Sequence, residues 1–164
     1  MQSIRRLTLN DIKAVLEINA ASVSGVAALD EAELRRLMGM PNHHLAIESA
    51  DYLVVGYALT FCSKAPYDGE EFQQFQRIFA KPFIYIDQVA TRSDFRRKGM
   101  GSEIYNALES MARLGDASKL CCEVNIDPPN PGSMAFHQNR GFRQSGILTT
   151  IDGRQVALLT KDVV

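Results

Sequence analysis

The chain has 164 residues, 46% of them hydrophobic and 23% charged, with 18 basic and 19 acidic side chains and a formal net charge of −1. That length and balance fit one soluble domain, residues 1–164, with a sizeable core. They argue against a protein that binds nucleic acid or an anionic membrane in bulk, since either would need an excess of positive charge.

Residues 3–7 read as a short strand. Asn10 or Asp11 can cap a helix to about Ala21, with Ile12, Val15, Leu16 and Ile18 on its apolar side. Asp30 opens a second helix, with Glu33 at capping-box distance and Leu34, Leu37 and Met38 facing inward, and Pro41-Asn42 breaks it. Two strands follow, at 44–48 and 53–62; the second is nearly all apolar, as suits a central strand covered on both faces. Residues 63–82 are a long insertion with acidic Asp68, Glu70 and Glu71, and with Phe72, Phe75, Ile78 and Phe79 at helical spacing. This spacing predicts a loop with a short helix whose aromatics pack. A segment of this length in a compact domain suits a lid or binding loop.

Another strand is expected over 83–91. A helix follows Gly99, with Ile104, Leu108, Met111 and Ala112 in one stripe and Gly115 at its end. A strand at 120–124 comes next. Asn130-Pro131 then supplies an N-cap and a first-turn proline for a short helix ending near Gly141. Strands at 145–151 and 154–161 close the chain, with Asp152-Gly153 between them as a type I′ turn. The order predicts an α+β fold: a mixed, mostly antiparallel sheet of about seven strands layered between helices. One parallel β-α-β unit, at 83–124, crosses right-handed.

The chemistry concentrates at Arg96-Arg97-Lys98-Gly99-Met100-Gly101, between a strand and a helix. Glycine admits φ > 0 and close approach of the main chain. A helix N-terminus adds free N–H groups and the positive end of a dipole. Together they suit a phosphate or pyrophosphate. A P-loop is excluded because Gly-x-x-x-x-Gly-Lys-Ser/Thr is absent, and only Gly99-Met100-Gly101 remains of a dinucleotide fingerprint. Cys62, Cys121 and Cys122 have no Cys-x-x-Cys spacing, so buried free thiols are expected and no metal site. Residues 1–6 lack an apolar signal region and no stretch is long enough to span a membrane, which makes cytoplasmic location the default expectation.

Two motifs give the chain a resemblance to the GNAT superfamily of N-acetyltransferases. One is Arg96-x-x-Gly99-x-Gly101. The other is Asn130-x-x-Ser133-x-x-Phe136-His137-x-x-x-Gly141-Phe142, similar to the family's Asn-x-x-Ala-x-x-Phe-Tyr-x-x-x-Gly-Phe. The likeness covers nearly the whole chain. The stretch Cys122–Asn130 also looks like that of a branch of uncharacterised predicted acetyltransferases. The resemblance implies acetyl-CoA, or another acyl-CoA, as donor and no metal. It puts the pyrophosphate on the amides of Arg97, Lys98, Gly99, Met100, Gly101 and Ser102. It puts the pantetheine arm between the strands at 84–91 and 120–124, pairing with Val89, Ala90 and Thr91, with Asn130, Ser133 and Phe136 on its other side. Asn130 can equally be only a helix cap, and Phe136 and Phe142 only core.

Transfer from a thioester to an amine needs a base for the ammonium proton, donors for the oxyanion, and a hydrogen bond or proton for a thiolate of pKa about 8.5. Strand alternation puts Tyr85, Asp87 and Val89 on one face. A carboxylate among apolar neighbours is unusual, which makes Asp87 the first candidate base and Glu123 the second. Each also has a structural reading, as a hydrogen-bonded or ion-paired residue. His137 stands where the family carries Tyr; it, Tyr85 or Tyr105 would meet the thiolate. The acidic residues favour a cationic acceptor, either a small amine or an N-terminal amine. A non-catalytic acyl-CoA-binding module and a plain structural domain are the competing readings. A homodimer, through the last hairpin or the 63–82 insertion, stays open at this stage.

Overall fold

The computed structural model describes residues 2–163. In chain order the elements are β1 (Ser3–Arg6), α1 (Ile12–Ala20), α2 (Glu31–Met38), β2 (Leu45–Glu48), β3 (Val54–Cys62), α3 (Glu70–Ile78), β4 (Phe83–Thr91), α4 (Met100–Leu114), β5 (Lys119–Asp127), α5 (Pro131–Asn139), β6 (Arg143–Thr149) and β7 (Gln155–Asp162). The seven strands form one sheet in the order β1-β2-β3-β4-β5-β7-β6. All neighbours are antiparallel except β4 and β5. The mixed, mostly antiparallel seven-stranded sheet expected from the sequence is therefore present.

Each face of the sheet buries its own core. One carries Tyr57, Leu59, Phe61, Tyr85 and Leu158 against Val15, Leu34, Phe72 and Phe75 of α1, α2 and α3. The other carries Ile47, Ala58, Ile86, Cys122 and Leu159 against Ile104, Leu108 and Ala112 of α4. β3 is buried along nearly its whole length because both layers cover it. The aromatics of the insertion pack as expected: Phe72 lies 5.5 Å and Phe75 6.0 Å from the Tyr85 ring, in tilted arrangements. Ile78 is the exception and faces solvent. No described helix is long and apolar enough to cross a membrane.

Several local expectations are corrected. Asp11 is not a side-chain cap of α1. Its carboxylate turns back to the Thr8 amide at 2.7 Å and to the Arg5 guanidinium, because a turn of 3-10 helix over Leu9–Asp11 precedes α1. The final turn is not type I′, which needs φ > 0 at both central residues. Only Gly153 is left-handed, at φ 87°, and Thr150 N donates to Arg154 O, which gives a three-residue loop. β5 extends to Asp127, three residues past the expected end, because it pairs with β7 along its length. Cys121 and Cys122 are buried, but Cys62 is only half-buried.

A β-bulge in β4 does most to position the site. Leu59 pairs with Gln88 and Thr60 with Ile86, so Asp87 has no partner on β3. The extra residue shifts every later side chain by one position. Asp87 and Gln88 consequently both face α1–α3, whereas Val89 packs into the core beneath α4. The expected shared face of Tyr85, Asp87 and Val89 is therefore wrong for Val89.

Candidate active site

β4 and β5 pair only from Phe83–Tyr85 to Lys119–Cys121. Beyond Tyr85 the two strands separate, and the gap opens into a cleft of about 680 Å³. Its wall on the α1–α3 side holds Tyr67, Glu71, Asp87, Glu123 and the loop between α1 and α2; its wall on the α4–α5 side holds Val89, Tyr105, Cys122, Asn130, Ser133 and His137. The split follows from topology. Parallel β4 and β5 are joined through α4, and β5 takes its other neighbour from β7, so no strand among the described residues fills the gap.

At one end of α4 the glycine-rich turn has the geometry its sequence suggests. Gly99 is left-handed at φ 79° and Arg97, with a side chain, is also left-handed at φ 60°. A non-glycine residue held there marks local strain of the kind concentrated at binding loops. The amides of Met100, Gly101 and Ser102 belong to the first turn of a 15-residue helix, where no preceding carbonyl of the helix can accept them. Arg96, Arg97 and Lys98 are exposed and make no ion pair among the described residues. Lys98 lies over the Phe95 ring at 5.0 Å. A Cβ on Gly101 would meet Phe136 at 3.6 Å, so α5 lies against the start of α4 with little room to spare. Bare amides and unpaired cations are what a pyrophosphate requires, and an open gap between two strands is what an extended arm requires. The residues present thus fit an acyl-CoA, while no cluster of metal-binding side chains occurs among the described residues.

Asp87 and Glu123 meet across Tyr85. The Tyr85 hydroxyl lies 2.8 Å from Glu123 Oε2 and 3.4 Å from Asp87 Oδ1, and the Tyr67 hydroxyl donates to the same Oδ1 at 3.0 Å. Both carboxyls are half-buried and open to the cleft. Burial pushes Asp87 up to about 6, against the lowering effect of the Tyr67 hydrogen bond. Burial, with the charges of Glu71 and Asp87, holds Glu123 well above the usual carboxylate range. Neither is paired with a cation among the described residues. Arg154, which also lines the cleft, is engaged by Asp152 at 3.0 Å and Asn125 at 3.2 Å and approaches Glu71 at 3.7 Å.

His137 is placed differently from a proton donor. Its Nδ1 lies 2.7 Å from the Ser133 carbonyl oxygen, which can only accept, so that nitrogen carries the hydrogen. Nε2 is then the acceptor for the Tyr105 hydroxyl at 2.7 Å. Burial lowers the imidazole's proton affinity and keeps it neutral. His137 therefore holds the Tyr105 phenol at the cleft wall, beneath the Arg140 guanidinium 5.5 Å from that ring. Asn130 caps α5, its side chain accepting from the Ser133 amide at 3.3 Å, and also lines the cleft. Ala90 is buried on the face opposite Val89, and Thr91 ends β4.

Sequence reasoning missed a buried clamp. Asn19 and Gln88 both donate to the Ala27 carbonyl, at 2.9 and 3.1 Å, and Asn19 Oδ1 accepts from the Leu29 amide at 2.9 Å. Gln88 Oε1 also accepts from Tyr57 at 2.9 Å. These bonds fix the loop between α1 and α2 as one wall of the cleft. A polar Asn19 on the apolar stripe of α1 was the only signal for it. Tyr67, in irregular chain, gave none.

Residues 15–142 match the family model described as the acetyltransferase (GNAT) family. The fold is similar to that of ribosomal-protein-S18-alanine N-acetyltransferase from Escherichia coli, with a TM-score of 0.74 and 16% identity over 99% of this chain and 94% of that one. It is also similar to yncA, a putative acetyltransferase from Salmonella typhimurium with its cofactor acetyl-CoA (TM-score 0.70, 19% identity, 100% and 95% covered). A third likeness is to a GNAT superfamily phosphinothricin acetyltransferase from Sinorhizobium meliloti in complex with acetyl-CoA (TM-score 0.73, 18% identity, 99% and 88% covered). No curated protein matches the chain.

Proposed function

Since the chain belongs to the acetyltransferase (GNAT) family, and is on that ground an acyl-CoA-dependent N-acetyltransferase, we propose that its acceptor is a cationic amine. The acceptor is a small molecule or an N-terminal amine. Acetyl-CoA supplies the activated acetyl group as a thioester. Arg96 to Ser102 would hold its pyrophosphate, and the gap between β4 and β5, from Val89 to Thr91 on one side and Asn130, Ser133 and Phe136 on the other, would hold its arm.

The observation that carries the acceptor class is the pair of carboxyls without a cation, Asp87 and Glu123, on the cleft wall away from α4. A half-buried carboxylate is costly unless paired, and an ammonium entering the cleft provides the partner. The same carboxylate removes the proton that prevents the amine from attacking. A base whose proton leaves near pH 6 is ionised at neutral pH and still basic enough to act. On the opposite wall the Tyr105 hydroxyl lines the cleft with its own hydrogen given to His137 Nε2, so its oxygen is there an acceptor.

The test is CoA release from acetyl-CoA with a panel of primary amines: diamines, amino alcohols, amino acids and short peptides with free N-termini. Cationic amines without a carboxylate are expected to be turned over fastest, and Asp87→Asn to lower turnover by about 100-fold or more. Binding of acetyl-CoA with no release of CoA under any amine would overturn this reading in favour of a non-catalytic acyl-CoA-binding module.

A further inference from the structure

Tyr85 faces two carboxyls with a single proton to give. Its oxygen is 2.8 Å from Glu123 and 3.4 Å from Asp87. The two carboxyls are therefore no further apart than the sum of those distances. If both were ionised, two negative charges would share one phenol with no cation between them. The groups packed around them make this worse. α3 contributes Glu71, the β6–β7 hairpin contributes Asp152, and the one cation there, Arg154, is already held by Asp152, Glu71 and Asn125. α2 adds the negative charge of Glu33, Tyr67 from the insertion contributes a hydroxyl, and Tyr57, Tyr105 and Cys122 are the neutral titratable groups near the pair. A like charge this close disfavours the second ionisation.

One shared proton removes the conflict, and the hydrogen bonds say where it sits. With the proton on Glu123, that carboxyl donates to the Tyr85 oxygen and Tyr85 donates to Asp87. Tyr67 donates to the same Asp87 oxygen, so every hydroxyl has an acceptor and the charge sits where two donors converge. With the proton on Asp87, the Tyr67 hydroxyl would point at a neutral carboxyl, and the charge on Glu123 would face one donor, Tyr85, in place of two.

We propose that Asp87 and Glu123 hold one proton between them, carried by Glu123, so that Asp87 is the ionised base and Glu123 its neutral partner. The assignment of roles rests on the amine-acetylating reading; the proton count does not. The direction of both titrations agrees, with Asp87 losing its proton near 6 and Glu123 only well above the carboxylate range.

The experiment is a carboxyl-carbon NMR titration of the ligand-free, full-length protein labelled at Asp and Glu side-chain carboxyls, with Asp87→Asn and Glu123→Gln to assign the two signals. Through-bond assignment in the unaltered protein serves if either variant fails to fold. At pH 7.5 Glu123 is expected at its protonated shift and Asp87 at its ionised shift. In Asp87→Asn, Glu123 is expected to lose its proton at lower pH, because the neighbouring charge has gone. Two ionised carboxyls at pH 7.5, or the proton on Asp87, would overturn the proposal. Since neither acetyl-CoA nor amine is present, a failure here is separate from a failure to acetylate any amine.

Discussion

Replacing Asp87 by asparagine separates a base from a structural acceptor, because the two roles have opposite consequences for stability. Burial raises this carboxyl from its ordinary 3.8 to about 6 in the folded protein. The unfolded chain keeps a value near 3.9. The folded state therefore binds the proton more tightly, and the stability gained is fully present below about pH 4. It is lost as pH rises through 6. A shift of that size corresponds to about 3 kcal/mol; the side chain opens on the cleft, so solvent screening reduces the expected cost to about 1–3 kcal/mol. Asparagine keeps an oxygen for Tyr67 and Tyr85 and removes the charge. Asp87→Asn is thus expected to be more stable than the parent by about 1–3 kcal/mol at pH 8 and equal to it at pH 4. CoA release with an amine acceptor is expected to fall by about 100-fold or more. Denaturant unfolding at the two pH values, compared at constant m, measures the first effect. A variant destabilised equally at pH 4 and pH 8 would refute the reasoning and make Asp87 a hydrogen-bonding strut.

In the parent enzyme, the rate at low amine concentration is expected to drop about tenfold per pH unit below 6 and to level off above it, as an ionised Asp87 requires; a flat profile from pH 5 to 8 would count against this base. Gly101→Trp is expected to lose the stabilisation by acetyl-CoA, about 2.7 kcal/mol at 100 times Kd, because its side chain must displace Phe136; thermal shift with and without ligand reads this. Gln88→Leu leaves the Tyr57 hydroxyl hydrogen and an Asn19 amide hydrogen without their acceptor and the Ala27 carbonyl with Asn19 as its one side-chain donor, at an expected cost of about 1–3 kcal/mol, and raises KM for the amine while KM for acetyl-CoA stays unchanged. Phe72→Ala removes a fully buried ring from beneath the cleft and is expected to cost about 3–5 kcal/mol in equilibrium unfolding.

Patterns local in the chain were legible in the sequence. The apolar runs of β3 and β4, the stripe of α4, the Asn130-Pro131 helix start and the glycine turn at Gly99 each follow from residue type and short-range spacing, and so fix the elements and the turn of bare amides before α4. Asp87 and Glu123 also stood out, as carboxylates among apolar neighbours. What they face could not be read. The bulge at Asp87 depends on the register of β3 against β4, and that register turned Val89 away and brought Gln88 in. The separation of β4 from β5 depends on β7 taking the far edge of β5, a pairing that runs from Lys119 with Asp162 to Asp127 with Gln155 and so joins segments distant in sequence. Tyr67 reaches Asp87 from irregular chain, and Asn19 reaches Gln88 from another layer. Periodicity reports which way a side chain points along its own strand or helix. The partner opposite it, and with it the charge, burial and proton affinity of the site, is decided only when distant segments pack.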